Sequence, residues 1–130
     1  MEDIDWRGFP LVAHEPEVRD WLIWLARIGR APNTVLAYGR ALEDYLRFCA
    51  TLPVDWRTAT REHIGLYVQH LRMRPVPHPP RCLWTGEGPR PLLATATIQQ
   101  RLTAIRLVYD LLVEAGARAS NPVGRGQYRL

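Results

Sequence analysis

The sequence predicts an all-α fold, and three observations carry that expectation. Apolar residues recur every three or four positions in four separate stretches, the spacing that lays one stripe along a helix. No stretch shows the period-two alternation of a half-buried strand. The 130 residues allow one domain around one modest core, and 47% hydrophobic with 23% charged residues is ordinary for a globular protein. Packing several striped helices together makes a helical bundle the economical solution.

Residues 1–14 read as an irregular arm that Trp6, Phe9 and Leu11 tack onto the body. A first helix is expected over 16–28. Pro16 suits the first helical position, and Glu15, Glu17 and Asp20 favour the positive end of the helix dipole. Val18, Trp21, Leu22 and Leu25 make its buried stripe, and Gly29 closes it. Trp24 and Ile28 lie off that stripe; core packing is their expected use, with a partner surface as the alternative.

A second helix is expected over 32–50, with Val35, Tyr38, Leu42, Tyr45, Leu46 and Cys49 facing inward. Asn33, Ala37, Arg40, Asp44 and Arg47 line the opposite side, a stripe that on a lone helix would read as solvated surface. Pro53 ends the segment. Thr60 is a natural N-cap for a third helix over 60–73, with Glu62 in its first turn and Ile64, Tyr67, Val68 and Leu71 on its apolar face.

The stretch 75–91 holds six of the 11 prolines together with Gly86 and Gly88, so it is expected as an exposed, partly extended loop. Arg74, Arg81 and Arg90 fall in or beside it, where they could reach a backbone phosphate. His70, His78 and Cys82 match no zinc spacing, so no metal is expected.

A fourth helix over 95–115 organises the rest. Ile98, Leu102, Ile105, Tyr109 and Leu112 form its apolar stripe. Gln99, Gln100, Thr103 and Arg106 turn away from it and can hydrogen-bond to bases or phosphates. Leu107 and Leu111, one turn apart, make a second apolar patch. Gly116 ends the helix where a positive φ is wanted. Asn121-Pro122 then marks a turn.

Charge narrows the function classes. All 17 basic residues are Arg, against 13 acidic ones, for a net charge of +4. A basic balance points to polyanions, and Arg offers bidentate contact to phosphate or guanine. A codon bias towards Arg is the competing explanation. Cys49 and Cys82 are too few for a disulfide framework, the N-terminus is acidic, and no apolar run approaches the roughly 20 residues that span a bilayer. These features lead to the expectation of a reduced, cytoplasmic protein without membrane contact. There is no Gly-rich phosphate loop, metal spacing or nucleophile–base pair, so neither catalysis nor a cofactor is expected.

A weak internal repeat singles out the second and fourth helices. Ala31 to Val35 aligns with Ala94 to Ile98, and each puts a Thr (Thr34, Thr97) in the first turn ahead of the first core residue. Such a hydroxyl can meet a phosphate held at the helix N-terminus.

The segments APNTVLAYGRALEDYLRFC, TREHIGLYVQHL and TATIQQRLTAIRLVYDLLVEAG, followed by NPV, resemble in order and polarity the N-terminal core-binding domain of tyrosine recombinases, the SAM-like domain of phage integrases. The resemblance spans residues 17–123. It rests on Thr34, Tyr38, Leu42 and Phe48 in the second helix. In the fourth it rests on Thr97, Ile98, Arg101, Leu102, Arg106 and Tyr109, and after it on Asn121-Pro122.

The resemblance implies a four-to-five-helix orthogonal bundle that packs against one face of double-stranded DNA, its second and fourth helices approaching the major groove. Carried over by position, the DNA-contacting candidates are Asn33, Thr34, Ala37, Arg40 and Arg47, then Thr97, Gln99, Gln100, Arg101, Thr103 and Arg106. Arg101 and Tyr38 sit at the edges of their apolar stripes, where a structural role has equal weight. The implied partners are duplex DNA, the catalytic domain of the parent recombinase and neighbouring protomers.

Two features depart from the family. The Pro-rich loop is longer than usual, and the catalytic domain that carries the tyrosine nucleophile is missing. Residues 124–130 read as the start of the linker to it, so the chain is expected to be one domain of a longer recombinase or a truncated product. Tyr128 lacks the Arg and His surroundings of a nucleophile, and the chain alone is expected to cleave nothing. The alternative function is a helical protein-interaction module that uses Trp24, Ile28, Leu107 and Leu111.

Overall fold

Two 20-residue helices run through the centre of the protein, and the other elements pack around them. The computed structural model describes residues 4–124. In chain order the helices are α1 (Pro10–Ala13), α2 (Pro16–Arg27), α3 (Pro32–Thr51), α4 (Arg61–Arg72) and α5 (Thr95–Glu114), with 3-10 turns at Trp6–Gly8 and Trp56–Thr58. Among the described residues there is no strand, only an isolated antiparallel bridge between Pro75 and Leu92. The four expected helices start and stop within a residue of where periodicity and punctuation put them. At Gly29 and Gly116 (φ 90° and 76°) the chain reverses, and the following amides (Arg30, Ala117) bond back to the Leu25 and Leu112 carbonyls.

The core is the union of the predicted stripes. Val18, Leu22 and Leu25 of α2, Val35, Leu42 and Tyr45 of α3, Ile64, Tyr67 and Leu71 of α4, and Ile98, Ile105, Tyr109 and Leu112 of α5 are all buried. Each such aliphatic side chain contributes about 1.5–3 kcal/mol, so apolar burial supplies the bulk of the stabilisation. Polar groups set the register. Tyr109 donates its hydroxyl proton to the Trp56 carbonyl at 2.6 Å, which leaves Tyr45 to donate to the Tyr109 oxygen, also at 2.6 Å. Burial pushes both phenols well above their ordinary pKa, so this chain of hydroxyls stays neutral.

The N-terminal segment differs from the expected irregular arm. Residues 4–14 contain a 3-10 turn and the one-turn helix α1, and Phe9 and Val12 are buried. Trp6 packs on the core as expected, but Leu11 is exposed. The unforeseen anchor is Glu43. Its carboxylate, on α3, accepts the Leu11 and Val12 N–H groups at 3.0 Å each, so a buried anion caps α1 from another helix. The Phe9 ring lies over Gly39, where a Cβ would stand 3.1 Å from it, which accounts for a glycine in mid-helix.

Trp24 and Ile28 are corrected as well: they are 53% and 54% exposed, not core. α2 packs on α1 and α3, and an open groove separates its Trp24 side from α5.

By periodicity Asp44 belongs to an outward polar stripe. Instead it ties three elements together, accepting from the Tyr67 hydroxyl of α4 at 2.6 Å and from Arg74 at 2.8 Å, with Arg101 of α5 at 3.6 Å. Burial pushes its carboxyl up, but the Tyr67 and Arg74 hydrogen bonds and the two guanidinium charges outweigh that and hold it below the usual carboxylate range. A second clamp joins the start of α2 to the turn at Trp56. Arg57 grips Glu17 through two bonds of 2.8 Å and Glu15 through one of 2.6 Å, while Arg118 donates to the Arg57 and Ala59 carbonyls.

Two outcomes follow for stability. Glu43→Ala leaves the buried Val12 N–H and the partly buried Leu11 N–H unsatisfied and should lower the unfolding free energy by about 1–3 kcal/mol. Amide exchange should show lost protection at Leu11 and Val12, whereas Arg47→Ala, which removes an exposed guanidinium 3.5 Å from Glu43, should change stability by under about 1 kcal/mol. Asp44→Asn should destabilise at neutral pH. Because the folded-state pKa of Asp44 is depressed, its contribution is full above the unfolded value of about 3.9 and is lost as pH falls through the folded one. Denaturant titrations of the two proteins should therefore converge only below about pH 4.

Candidate nucleic-acid interface

An open groove of about 160 Å³ lies between the N-terminal halves of α3 and α5. Ala37, Tyr38, Arg40 and Ala41 form one wall, and Thr97, Gln100 and Arg101 the other. Small side chains at Ala37 and Ala41 keep the groove open. Tyr38 stacks on Trp21 of α2 at 5.7 Å, so its ring is a fixed part of the wall. Two of the seven lining residues are Arg and none is acidic, which makes the groove electropositive.

Five of the 11 candidates thus come together here: Ala37, Arg40, Thr97, Gln100 and Arg101. Asn33 is exposed and Thr34 half-buried at the start of α3. Neither α3 nor α5 has a side-chain cap: Ala31 and Ala94 stand at their N-cap positions, so their first N–H groups have no side-chain acceptor. α2 likewise has no side-chain cap, whereas the Thr60 N–H at the start of α4 donates to His63 Nδ1. The hydroxyls of Thr34 and Thr97 have no hydrogen-bond partner among the described residues.

The remaining candidates lie elsewhere. Gln99 and Arg106 sit on the opposite edge of α5, since nine residues from Thr97 to Arg106 make about two and a half turns. Thr103 faces outward between the two edges, and its hydroxyl bonds the Gln99 carbonyl at 3.0 Å. Arg47 is beyond the groove, beside Glu43. Arg101 is present in the groove but fixed: Asp44 holds its guanidinium from behind, leaving the side chain about a quarter exposed.

Sequence reasoning missed two contributors. Ala41 is a groove-lining residue whose only signal was its position one turn beyond Ala37. Asp44 positions Arg101, a pairing between helices that periodicity within one helix cannot reveal.

A second, apolar groove of about 640 Å³ separates α2 from the C-terminal half of α5. Trp21, Trp24, Leu107 and Leu111 line it, with Glu17, Asp20, Asp110 and Glu114 around its rim. Leu107 and Leu111 are half-buried and line this groove opposite α2. Ile28, grouped with them on sequence grounds, is not part of the lining.

No group of three or more His, Cys, Asp or Glu among the described residues could hold a metal ion; His70 packs on the Phe48 ring at 5.2 Å. Among the same residues no helix is long and apolar enough to cross a membrane. Tyr128 and the stretch 125–130 lie outside them.

No curated protein and no solved structure matches the chain. The family model for the N-terminal SAM-like domain of phage integrases matches residues 18–116, from the first turn of α2 to the glycine that ends α5. That span contains the basic groove, both uncapped helix starts and nearly all of the core, and the chain belongs to the phage integrase N-terminal SAM-like domain family.

Proposed function

We propose that the chain binds double-stranded DNA through the α3–α5 groove, as the core-binding module of a site-specific tyrosine recombinase. Bond cleavage would belong to a separate catalytic domain. The observation that carries this reading is the convergence of Arg40, Thr97, Gln100 and Arg101 on one acid-free groove beside two uncapped helix N-termini. Uncapped N–H groups and the Thr34 and Thr97 hydroxyls suit phosphate oxygens, which fix register on a duplex. Gln100 and Arg40 are the side chains suited to base edges, Gln for adenine and Arg for guanine.

Fluorescence anisotropy with a duplex of about 30 base pairs, at low and at physiological salt, tests this reading; phosphate-dominated binding should weaken at least tenfold between the two. Arg40→Ala should cost roughly tenfold in affinity, in line with losing one good base or phosphate contact. Arg106→Ala, on the far edge of α5, should cost less. Equal losses would mean that the duplex lies across the outer face of α5 and not in the groove.

A second reading concerns the apolar groove. Trp24 is a large side chain left half in solvent beside Leu107 and Leu111, the kind of surface that meets another chain. Here the occupant is a neighbouring protomer on the same DNA. Trp24→Ser, at an exposed position, should leave the melting temperature within a few degrees while abolishing any self-association seen by sedimentation. Unchanged sedimentation would remove this reading.

A further inference from the structure

The loop between α4 and α5 is closed at its base and rooted in the groove. Val76 N–H donates to the Pro91 carbonyl at 2.7 Å and Leu93 N–H to the Arg74 carbonyl at 3.0 Å, on either side of the Pro75–Leu92 bridge. Arg74, at the neck, shares the Asp44 carboxylate with Arg101 of the groove wall. The returning strand of the neck runs straight into α5, whose first turn carries Thr97. The loop therefore leaves the bundle at the α5 end of the groove.

Its tip has a definite shape. Leu83 and Trp84 N–H groups both donate to the Pro80 carbonyl, at 2.9 and 3.1 Å, and the Trp84 indole donates to the Gly88 carbonyl at 3.2 Å. Gly86 and Gly88 take positive φ (101° and 76°), which permits that turn. The Arg90 guanidinium lies 5.2 Å over the Trp84 ring, a cation–π contact, and Arg90 is exposed. Arg81 is exposed and has no partner among the described residues.

Charge singles out the same region. Residues 72–106 hold six of the 17 arginines and one of the 13 acidic residues, leaving 11 arginines against 12 acidic residues elsewhere. The excess positive charge of the protein is thus confined to the end of α4, the loop and the first half of α5. A loop that merely linked two helices would need neither the stacked arginine nor this concentration.

We propose that the loop is a second duplex contact, in which Arg81 and Arg90 grip the sugar–phosphate backbone beyond the α5 end of the groove. This rests on the duplex-binding reading above and extends its footprint. The prolines and internal bonds hold the tip in shape before binding, so little chain entropy is lost on contact. The recognised chemistry is the phosphodiester, so the contact adds affinity and salt dependence without sequence preference.

The test uses the whole chain and the same duplex across a salt series. Each phosphate contact contributes about 0.9 to the slope of log affinity against log salt. The double variant Arg81→Ala with Arg90→Ala should therefore lower the slope by about 1–2 and weaken binding about tenfold at low salt, with an unchanged melting temperature. A variant with the tip between His78 and Pro89 replaced by a short Gly-Ser turn, neck intact, should do the same. If both variants keep the native slope and affinity while Arg40→Ala still weakens binding, the loop is not a contact and the groove reading stands. If the native chain does not bind the duplex at low salt, both fall.

Discussion

The Asp44 carboxylate is the point at which framework, loop and groove meet. It receives a phenol from α4, a guanidinium from the neck of the loop and a second guanidinium from α5. A carboxylate so placed is costly to bury unless every lone pair is met, and here several donors meet it. The consequence is positional: α3, α4 and α5 cannot slide past one another without leaving a charge unpaired. The apolar core tolerates small shifts of that kind, because its contacts are many and interchangeable. The ion cluster does not tolerate them.

The same economy explains how the arginines divide. Arg57, Arg74 and Arg118 bind carboxylates or backbone carbonyls of the bundle itself, and Arg101 is held on one side by Asp44. Among the described residues Arg40 and Arg81 have no such partners. A chain without lysine can use one residue type for both purposes, because the planar fork suits a carboxylate in the interior as well as a phosphate outside. Overall basicity was therefore a blunt guide, and where the unpaired cations gather carries the functional argument.

Much of the fold was legible in the sequence. Helix existence and ends followed from period and punctuation, which are local properties: Gly29 and Gly116 stop helices because of their own backbone freedom. Glu43 shows what local reading cannot see. Its partners lie more than 30 residues away, and nothing in its neighbourhood distinguishes it from a solvated surface glutamate. Trp24 failed in the opposite direction, since its bulk suggested burial while the open groove between α2 and α5 left it half in solvent. For the candidate interface, periodicity and resemblance together named outward residues, but outward covers more than half of a helix. Only the packing of α3 on α5 separates Thr97 and Gln100 from Gln99 and Arg106.

The loop carries one more property by virtue of its shape. Of the two thiols, Cys49 is buried on the inner face of α3 and Cys82 stands exposed one residue from Arg81. The buried one is further disfavoured as a thiolate, because burial pushes its pKa up. A maleimide dye added to the folded protein should therefore find a single address, at the tip of a segment closed off from the bundle by its own neck. The molecule comes with a reporter handle already installed, at a place where attachment disturbs none of the packing that holds the helices together.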